Sequence, residues 1–162
     1  RLSTESTIPT GGPQQVVSRR EKQHFPDYTF PPSGNLATCQ QDPSLDDALL
    51  REGSRLGVRM IAGQPELANK DATYRAEHGR LGTITLKQRS MSQAVRCMLI
   101  SHEFIHVLQH LHGDLKGVDS LGWQTTSEGI QRFGSIQEAE AYRYQNRAGY
   151  VIHLLRQTPV SQ

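Results

Sequence analysis

The segment Ser101-His102-Glu103-Phe104-Ile105-His106-Val107-Leu108 places two imidazoles four residues apart with a carboxylate between them. On an α-helix successive residues are about 100° apart, so His102 and His106 lie one turn apart on one face and can bind a single metal ion. Glu103 lies about 100° round the same helix, within reach of a water bound to that metal. The segment therefore predicts a metal centre built on a helix.

The neighbouring residues indicate that this helix is buried. No Gly or Pro occurs from Met91 to His112. A helix that is apolar on two opposed sides lies in the middle of a domain and not at its surface. Two satisfied core histidines are the alternative interpretation of His102 and His106, but the pair, the adjacent Glu103 and the buried helix together favour a metal. The apolar residues are Ile100, Phe104, Val107, Leu108 and Leu111 on one side, and Val95, Met98 and Leu99 on the other.

Length and composition exclude several classes of protein. A chain of 162 residues is long enough for one domain with a core. A formal charge of +2 with 21% charged residues lacks the basic excess of a nucleic-acid binder. The longest uncharged apolar stretch, residues 97–101, is far shorter than the ~20 residues of a membrane span. We therefore expect no nucleic-acid partner and no membrane span.

The order of elements suggests an arm followed by one domain. Residues 1–35 are rich in Pro, Gly and polar residues, which predicts an extended or partly disordered arm. Phe25, Tyr28 and Phe30 would anchor this arm if it crosses the active-site cleft. Residues 36–162 would form the folded domain.

Within that domain, the pattern predicts alternating helices and strands. A short helix follows Asp42-Pro43-Ser44 and ends at Gly53 or Gly57. Strands are expected over residues 58–62 and 81–87, the second leading directly into the motif helix. A Gly-punctuated loop over residues 113–134 would precede a single final helix over residues 135–155.

A strand followed by an H-E-x-x-H helix resembles the zincin metallopeptidases. The resemblance implies an α+β fold, in which a small mixed or antiparallel sheet packs on the buried active-site helix. It also implies that residues 83–87 edge the cleft and can pair with an extended peptide.

A catalytic zinc takes three protein ligands, so a third residue must join the two histidines. The segment Gln137-Glu138-Ala139-Glu140-Ala141-Tyr142 resembles the E-x-E-A-D/N pattern on the glutamate helix of small gluzincin-like families. That resemblance puts Glu138 at the ligand position. Tyr142 stands where relatives have Asp or Asn, which leaves the orientation of the imidazoles without an evident partner.

Other ligands remain open. Ser135-Ile136-Gln137-Glu138 is also a capping box, which needs no metal, and residues 125–128 form a second one. His112 has the spacing of the third metzincin histidine, but Gln109 replaces the required Gly, and in an unbroken helix His112 would point about 120° away from His106. The alternatives to Glu138 are Glu140, Glu128, His110 and His112.

The resemblance implies a small zinc endopeptidase of the gluzincin type, which acts on peptide or protein substrates. One catalytic Zn²⁺ on His102, His106 and Glu138 would activate a water, with Glu103 as general base. Tyr142 is the first candidate to stabilise the oxyanion. The alternative is a module of the same fold that binds metal or peptide without turnover. The other oxyanion candidates are Tyr144, His110 and His153.

Two cysteines allow one disulfide or two buried thiols. Cys97 falls on the same side of the motif helix as Phe104 and Leu108, where the preceding helix would pack, so we expect Cys39 to lie close to it. A disulfide would favour a secreted protein or an organelle lumen.

Overall fold

The computed structural model describes residues 3–6 and 36–160, and these residues form a mixed α+β domain. The predicted fold class, with a small mixed sheet beside a buried helix, is confirmed at this level. The described part of the chain contains four strands and five helices: β1 (Ser3–Ser6), α1 (Leu45–Leu56), β2 (Arg59–Ala62), β3 (Ala72–Glu77), β4 (Arg80–Leu86), α2 (Gln93–His112), α3 (Ser127–Phe133), α4 (Ile136–Tyr144) and α5 (Ala148–Arg156).

The sheet has the order β1-β3-β4-β2 in the described residues. β3 and β4 are antiparallel, β1 is parallel to β3, and β2 is parallel to β4. β4 is therefore hydrogen-bonded on both sides. The prediction that residues 83–87 edge the cleft is wrong, because a strand with a neighbour on each side has no free backbone edge for a substrate. The sequence pattern does not predict β3, which is one of these neighbours.

The β3–β4 hairpin packs against α2. Tyr74 and Ile84 are paired across the two strands and fully buried. A β-bulge shifts the register between Arg75 and Glu77. A side chain at position 82 would overlap the carbonyl oxygen of Arg75, so Gly82 permits the close approach of the strands at this bulge.

The motif helix α2 is the centre of the domain, as predicted. Every residue from Leu99 to Leu111 is buried. Ser92 caps the helix, since its Oγ accepts a hydrogen bond from the Val95 amide over 3.2 Å. α1 packs closely on one flank, where the Phe104 ring occupies the space that a side chain at Gly53 would need.

The predicted final helix is in fact two helices, α4 and α5, separated at residues 145–147. The segment before α1 packs into this corner. The Asn146 carbonyl accepts the amide of Cys39 over 2.9 Å, and the Asn146 side chain accepts the amide of Gln40 over 3.2 Å. Tertiary hydrogen bonds thus replace helical ones at the break. Sequence patterning also missed α3, although Thr126 caps it by accepting the Gly129 amide.

Cys39 and Cys97 form a disulfide, with their Cα atoms 5.7 Å apart and both residues fully buried. The predicted proximity is confirmed. The bond joins the segment before α1 to the motif helix, five residues ahead of His102. Closing a loop of 58 residues lowers the conformational entropy of the unfolded chain. In the chain-entropy account of disulfides, this stabilises the fold by about 4 kcal/mol.

Most of the predicted arm lies outside the described residues. Only Ser3–Ser6 is described within residues 1–35, and it forms β1. The proposed anchors Phe25, Tyr28 and Phe30 lie outside the described residues. Among residues 3–6 and 36–160, no helix combines the length and hydropathy that crossing a membrane requires.

Candidate metal centre

His102 and His106 on α2 and Glu138 on α4 form a compact buried cluster. Each of them offers one ligand atom, and these atoms lie within 4.8 Å of one another. The Nε2 atom of His102 is 3.1 Å from Oε1 of Glu138, and Nε2 of His106 is 3.3 Å from Oε2. All three side chains are buried. The cluster can hold a metal ion through two nitrogens and one carboxylate.

Glu138 reaches the histidines from the first turn of α4. The Oγ atom of Ser135 accepts the Glu138 amide over 3.1 Å, so the capping interaction predicted from sequence is present. The Glu138 carboxylate, however, faces the histidines. Burial raises the pKa of Glu138, but when both Nε2 atoms carry protons, hydrogen bonds from His102 and His106 outweigh burial and bring the pKa to about 2.

Gln109 fixes the orientation of the His106 ring. Its amide Nε2 donates to the Gln137 carbonyl over 3.0 Å and to Oε1 of Glu140 over 2.9 Å. Both of those atoms are acceptors only, so this end of the amide must be the NH₂ group. The Gln109 oxygen therefore faces Nδ1 of His106, 2.7 Å away, and that nitrogen must carry a proton. A neutral His106 consequently has its lone pair on Nε2, toward Glu138.

Gln145 provides a similar contact to His102. The Gln145 oxygen lies 2.9 Å from Nδ1 of His102, on the side of the ring away from Glu138. Burial is the main cause that lowers the pKa of His102 to about 4, so this imidazole is neutral at neutral pH. Gln109 and Gln145 thus orient the two imidazoles, the role that the resemblance gives to an Asp or Asn at position 142, where this chain has Tyr.

The two Nε2 atoms and the Glu138 carboxylate face one another, an arrangement that favours a cation between them. In the tautomers that place each Nδ1 proton toward a glutamine oxygen, the Nε2 lone pairs point at the Glu138 carboxylate. Lone pairs facing one another at about 3 Å repel each other unless a proton or a metal ion lies between them. The donor set fits a metal that accepts imidazole and carboxylate ligands.

Glu103 is fully buried beside this cluster. Neither of its carboxyl oxygens has a hydrogen-bond partner among residues 3–6 and 36–160. Burial, with a smaller contribution from the charge of Glu138, raises the pKa of Glu103 well above its ordinary value, and Lys70 acts in the opposite direction. Burying such a group without a partner is costly, which makes Glu103 a candidate for a role in a reaction or in ligand binding.

The other predicted ligands lie elsewhere. Both oxygens of Glu140 are occupied by hydrogen-bond donors, mostly backbone amides of residues 121–123. Glu128 is exposed on α3. His112 ends an unbroken α2, as the helical geometry predicted, and does not belong to the cluster.

Of the oxyanion candidates, Tyr142 is the one whose ring contacts the cluster. Its centroid is 4.6 Å from that of His102 in an edge contact, and its ring stacks on Phe133 at 4.1 Å. The Tyr144 hydroxyl instead donates to the Gln124 carbonyl over 2.9 Å. His153 is exposed and contacts Gln157. A catalytic role for Tyr142 stays a prediction.

His110 is a structural residue of the interface between α2 and the sheet. The Gly82 amide donates to the Tyr74 hydroxyl over 2.9 Å, and that hydroxyl lies 2.8 Å from Nδ1 of His110. His110, which the sequence offered as an alternative ligand and oxyanion residue, is not part of the cluster, because its side of the helix faces β3. Burial lowers the pKa of His110 from 6.5 to about 4.

We expect this buried imidazole to make the protein less stable in acid. An unfolded His110 binds a proton below about pH 6.5 and the folded one only near pH 4, so its contribution is complete above pH 6.5 and lost as pH falls through this window. The loss is up to about 3 kcal/mol. Urea unfolding of wild type and His110→Asn, both with chelator, should show a shallower pH dependence for the variant. Parallel curves would contradict the prediction.

Comparison with known proteins adds no relative. No protein-family model, no curated protein and no solved structure matches this chain. The chemistry of the centre is therefore inferred from its own residues.

Proposed function

We propose that this chain is a zinc-dependent metallopeptidase of the gluzincin type, an endopeptidase that hydrolyses peptide or protein substrates. The observation that carries the proposal is the position of Glu103, a buried carboxyl without a hydrogen-bond partner among the described residues, beside the His102, His106 and Glu138 cluster. A metal-binding site alone has no use for a second carboxyl that is unpartnered among the described residues. A hydrolase has one, because it needs a general base.

Zinc is the metal that best fits the donor set. Two imidazole nitrogens and one carboxylate are the ligands of one class of catalytic zinc sites, which keep a fourth position for water or substrate. Calcium and magnesium instead prefer sites made of oxygen atoms. Zinc bound by His102, His106 and Glu138 would lower the pKa of a water molecule and polarise a carbonyl group.

Glu103 is assigned the proton transfers. In the metal-free protein its raised pKa favours the protonated carboxyl, and a nearby cation would favour the carboxylate. The carboxylate can then take a proton from the attacking water and pass it to the leaving amine. Within the described residues, no hydrogen bond of Glu103 must break for this transfer.

Tyr142 is assigned to the oxyanion. Its ring contacts both His102 and Phe133, which places it beside the cluster. A hydroxyl that donates to the developing oxyanion stabilises the transition state, and one such donor contributes about 3 kcal/mol in other enzymes.

A secreted protein or an organelle lumen is the compartment we propose. The Cys39–Cys97 bond is compatible with an oxidising environment, where disulfides persist.

The proposal is tested by zinc content and chelator-sensitive cleavage. We expect the full chain to bind one zinc ion, measured by elemental analysis after dialysis, and to cleave members of a peptide library within their chains. A zinc chelator should abolish cleavage, and added zinc should restore it. Tight zinc binding without cleavage of any peptide would favour the metal-binding or peptide-binding module. Absence of zinc binding would refute the zinc peptidase and leave only a peptide-binding module.

A further inference from the structure

We infer that Gln109 and Glu140 are positioning residues that couple the loop of residues 120–123 to the metal centre through His106. The inference rests on the proposed metal site. It assigns a role to two buried polar side chains that are neither ligands nor proton carriers in the proposed reaction.

The first connection joins His106 to Gln109. Because the Gln109 amide donates from its nitrogen to two acceptors, its oxygen is committed to Nδ1 of His106, 2.7 Å away. The ring is held in the tautomer that leaves Nε2 free for a metal. Without this acceptor, the proton of a neutral His106 would be better placed on Nε2, donating to Glu138, and a metal would then have to displace it.

The second connection joins Gln109 to Glu140. Oε1 of Glu140 accepts both the Gln109 amide and the backbone N–H of Leu121, each over 2.9 Å. Glu140 is fully buried, so it cannot turn toward water without losing these bonds. The carboxylate thus fixes which end of the Gln109 amide faces His106.

The third connection joins Glu140 to the loop. Its Oε2 accepts the amides of Gly122 and Trp123 over 2.9 and 3.0 Å, and the Ser120 hydroxyl over 3.3 Å. Three consecutive backbone amides therefore converge on one carboxylate. Gly122 has φ +84°, a conformation that favours glycine and lets the chain wrap around this group. Changes in this loop should reach His106 through two side chains.

Two measurements test the coupling in the full chain. The first is the zinc dissociation constant, obtained by competition with a chelator, for Gln109→Leu, Glu140→Gln and the double variant. The second is the tautomer of His106 in the metal-free protein at alkaline pH, read from imidazole ¹⁵N chemical shifts. Gln137→Leu is the matched control, because it removes a glutamine that donates to the Val118 carbonyl, just before the loop, but leaves the backbone acceptor of Gln109 in place.

We expect Gln109→Leu to weaken zinc binding by about 10–100-fold, the usual effect of losing a side chain that orients a ligand. In the metal-free protein, wild-type His106 should carry its proton on Nδ1, and in Gln109→Leu the proton should move to Nε2. Gln137→Leu should change neither quantity. Because Glu140 acts through Gln109, the double variant should bind zinc about as weakly as the weaker single variant.

Several results would overturn the inference. Wild-type zinc affinity in Gln109→Leu, or a proton on Nε2 of wild-type His106, would remove the first connection. Independent effects, multiplying in the double variant, would show that Glu140 serves the loop alone. If Glu140→Gln does not fold, the zinc affinity of Gln109→Leu and the His106 tautomer in that variant still decide whether Gln109 positions His106. Failure of wild type to bind zinc would refute the proposed function itself, a result distinct from these.

Discussion

Replacing Glu103 by glutamine is expected to lower kcat for peptide hydrolysis by about 10²–10⁴-fold, the usual cost of removing a general base. Glutamine is nearly isosteric with glutamate but cannot accept the proton. His102, His106 and Glu138 are untouched, so zinc content should equal that of wild type. The free energy of unfolding should stay equal or rise, because the wild-type carboxyl is buried without a hydrogen-bond partner in the described part of the chain.

The measurement is kcat on one peptide from the library, with zinc determined on the same samples. Glu128→Gln makes the same chemical change at an exposed carboxylate of α3 and should keep wild-type kcat. Cleavage by Glu103→Gln at the wild-type rate would mean that a contaminant or another site cleaves the peptide. Loss of zinc together with activity would show that Glu103 supports the site structurally.

The parts of the fold that local pattern determines could be predicted from sequence. α2 carries apolar residues on two sides without Gly or Pro, and α1 ends at Gly57, whose φ of +102° suits a glycine. β3 could not be predicted, because Ala72–Glu77 has few β-branched residues and is stabilised as a strand by pairing with β4. The break between α4 and α5 could not be predicted either, since Asn146 bonds to a segment more than 100 residues away.

The same distinction between local pattern and tertiary contact applies to the candidate site. His102, Glu103 and His106 are close in sequence on one helix, so their arrangement follows from helical geometry. Glu138 came from a resemblance, since no local rule connects α2 to α4. The contact of Gln145 with His102 depends on the break between α4 and α5, which the sequence pattern does not predict. Gln109 lies three residues after His106 on the same helix, a spacing at which side chains meet, so the sequence did contain that signal.

Removal of a ligand should abolish the stabilisation by zinc. For wild type, zinc at about 1,000 times its dissociation constant should raise the free energy of unfolding by about 4 kcal/mol. His102→Ala and Glu138→Ala should show no such increase, because two remaining ligands do not complete the three that a catalytic zinc site needs. Urea unfolding of each variant, with zinc and with chelator, measures the difference.

The increase caused by zinc is more informative than stability itself. Truncating the buried His102 also leaves a cavity, which costs free energy whether or not a metal binds. Comparing each variant with and without zinc cancels that cost. His153→Ala removes an exposed histidine and should keep the full increase. Should Glu138→Ala also keep the full increase, Glu138 is not a ligand.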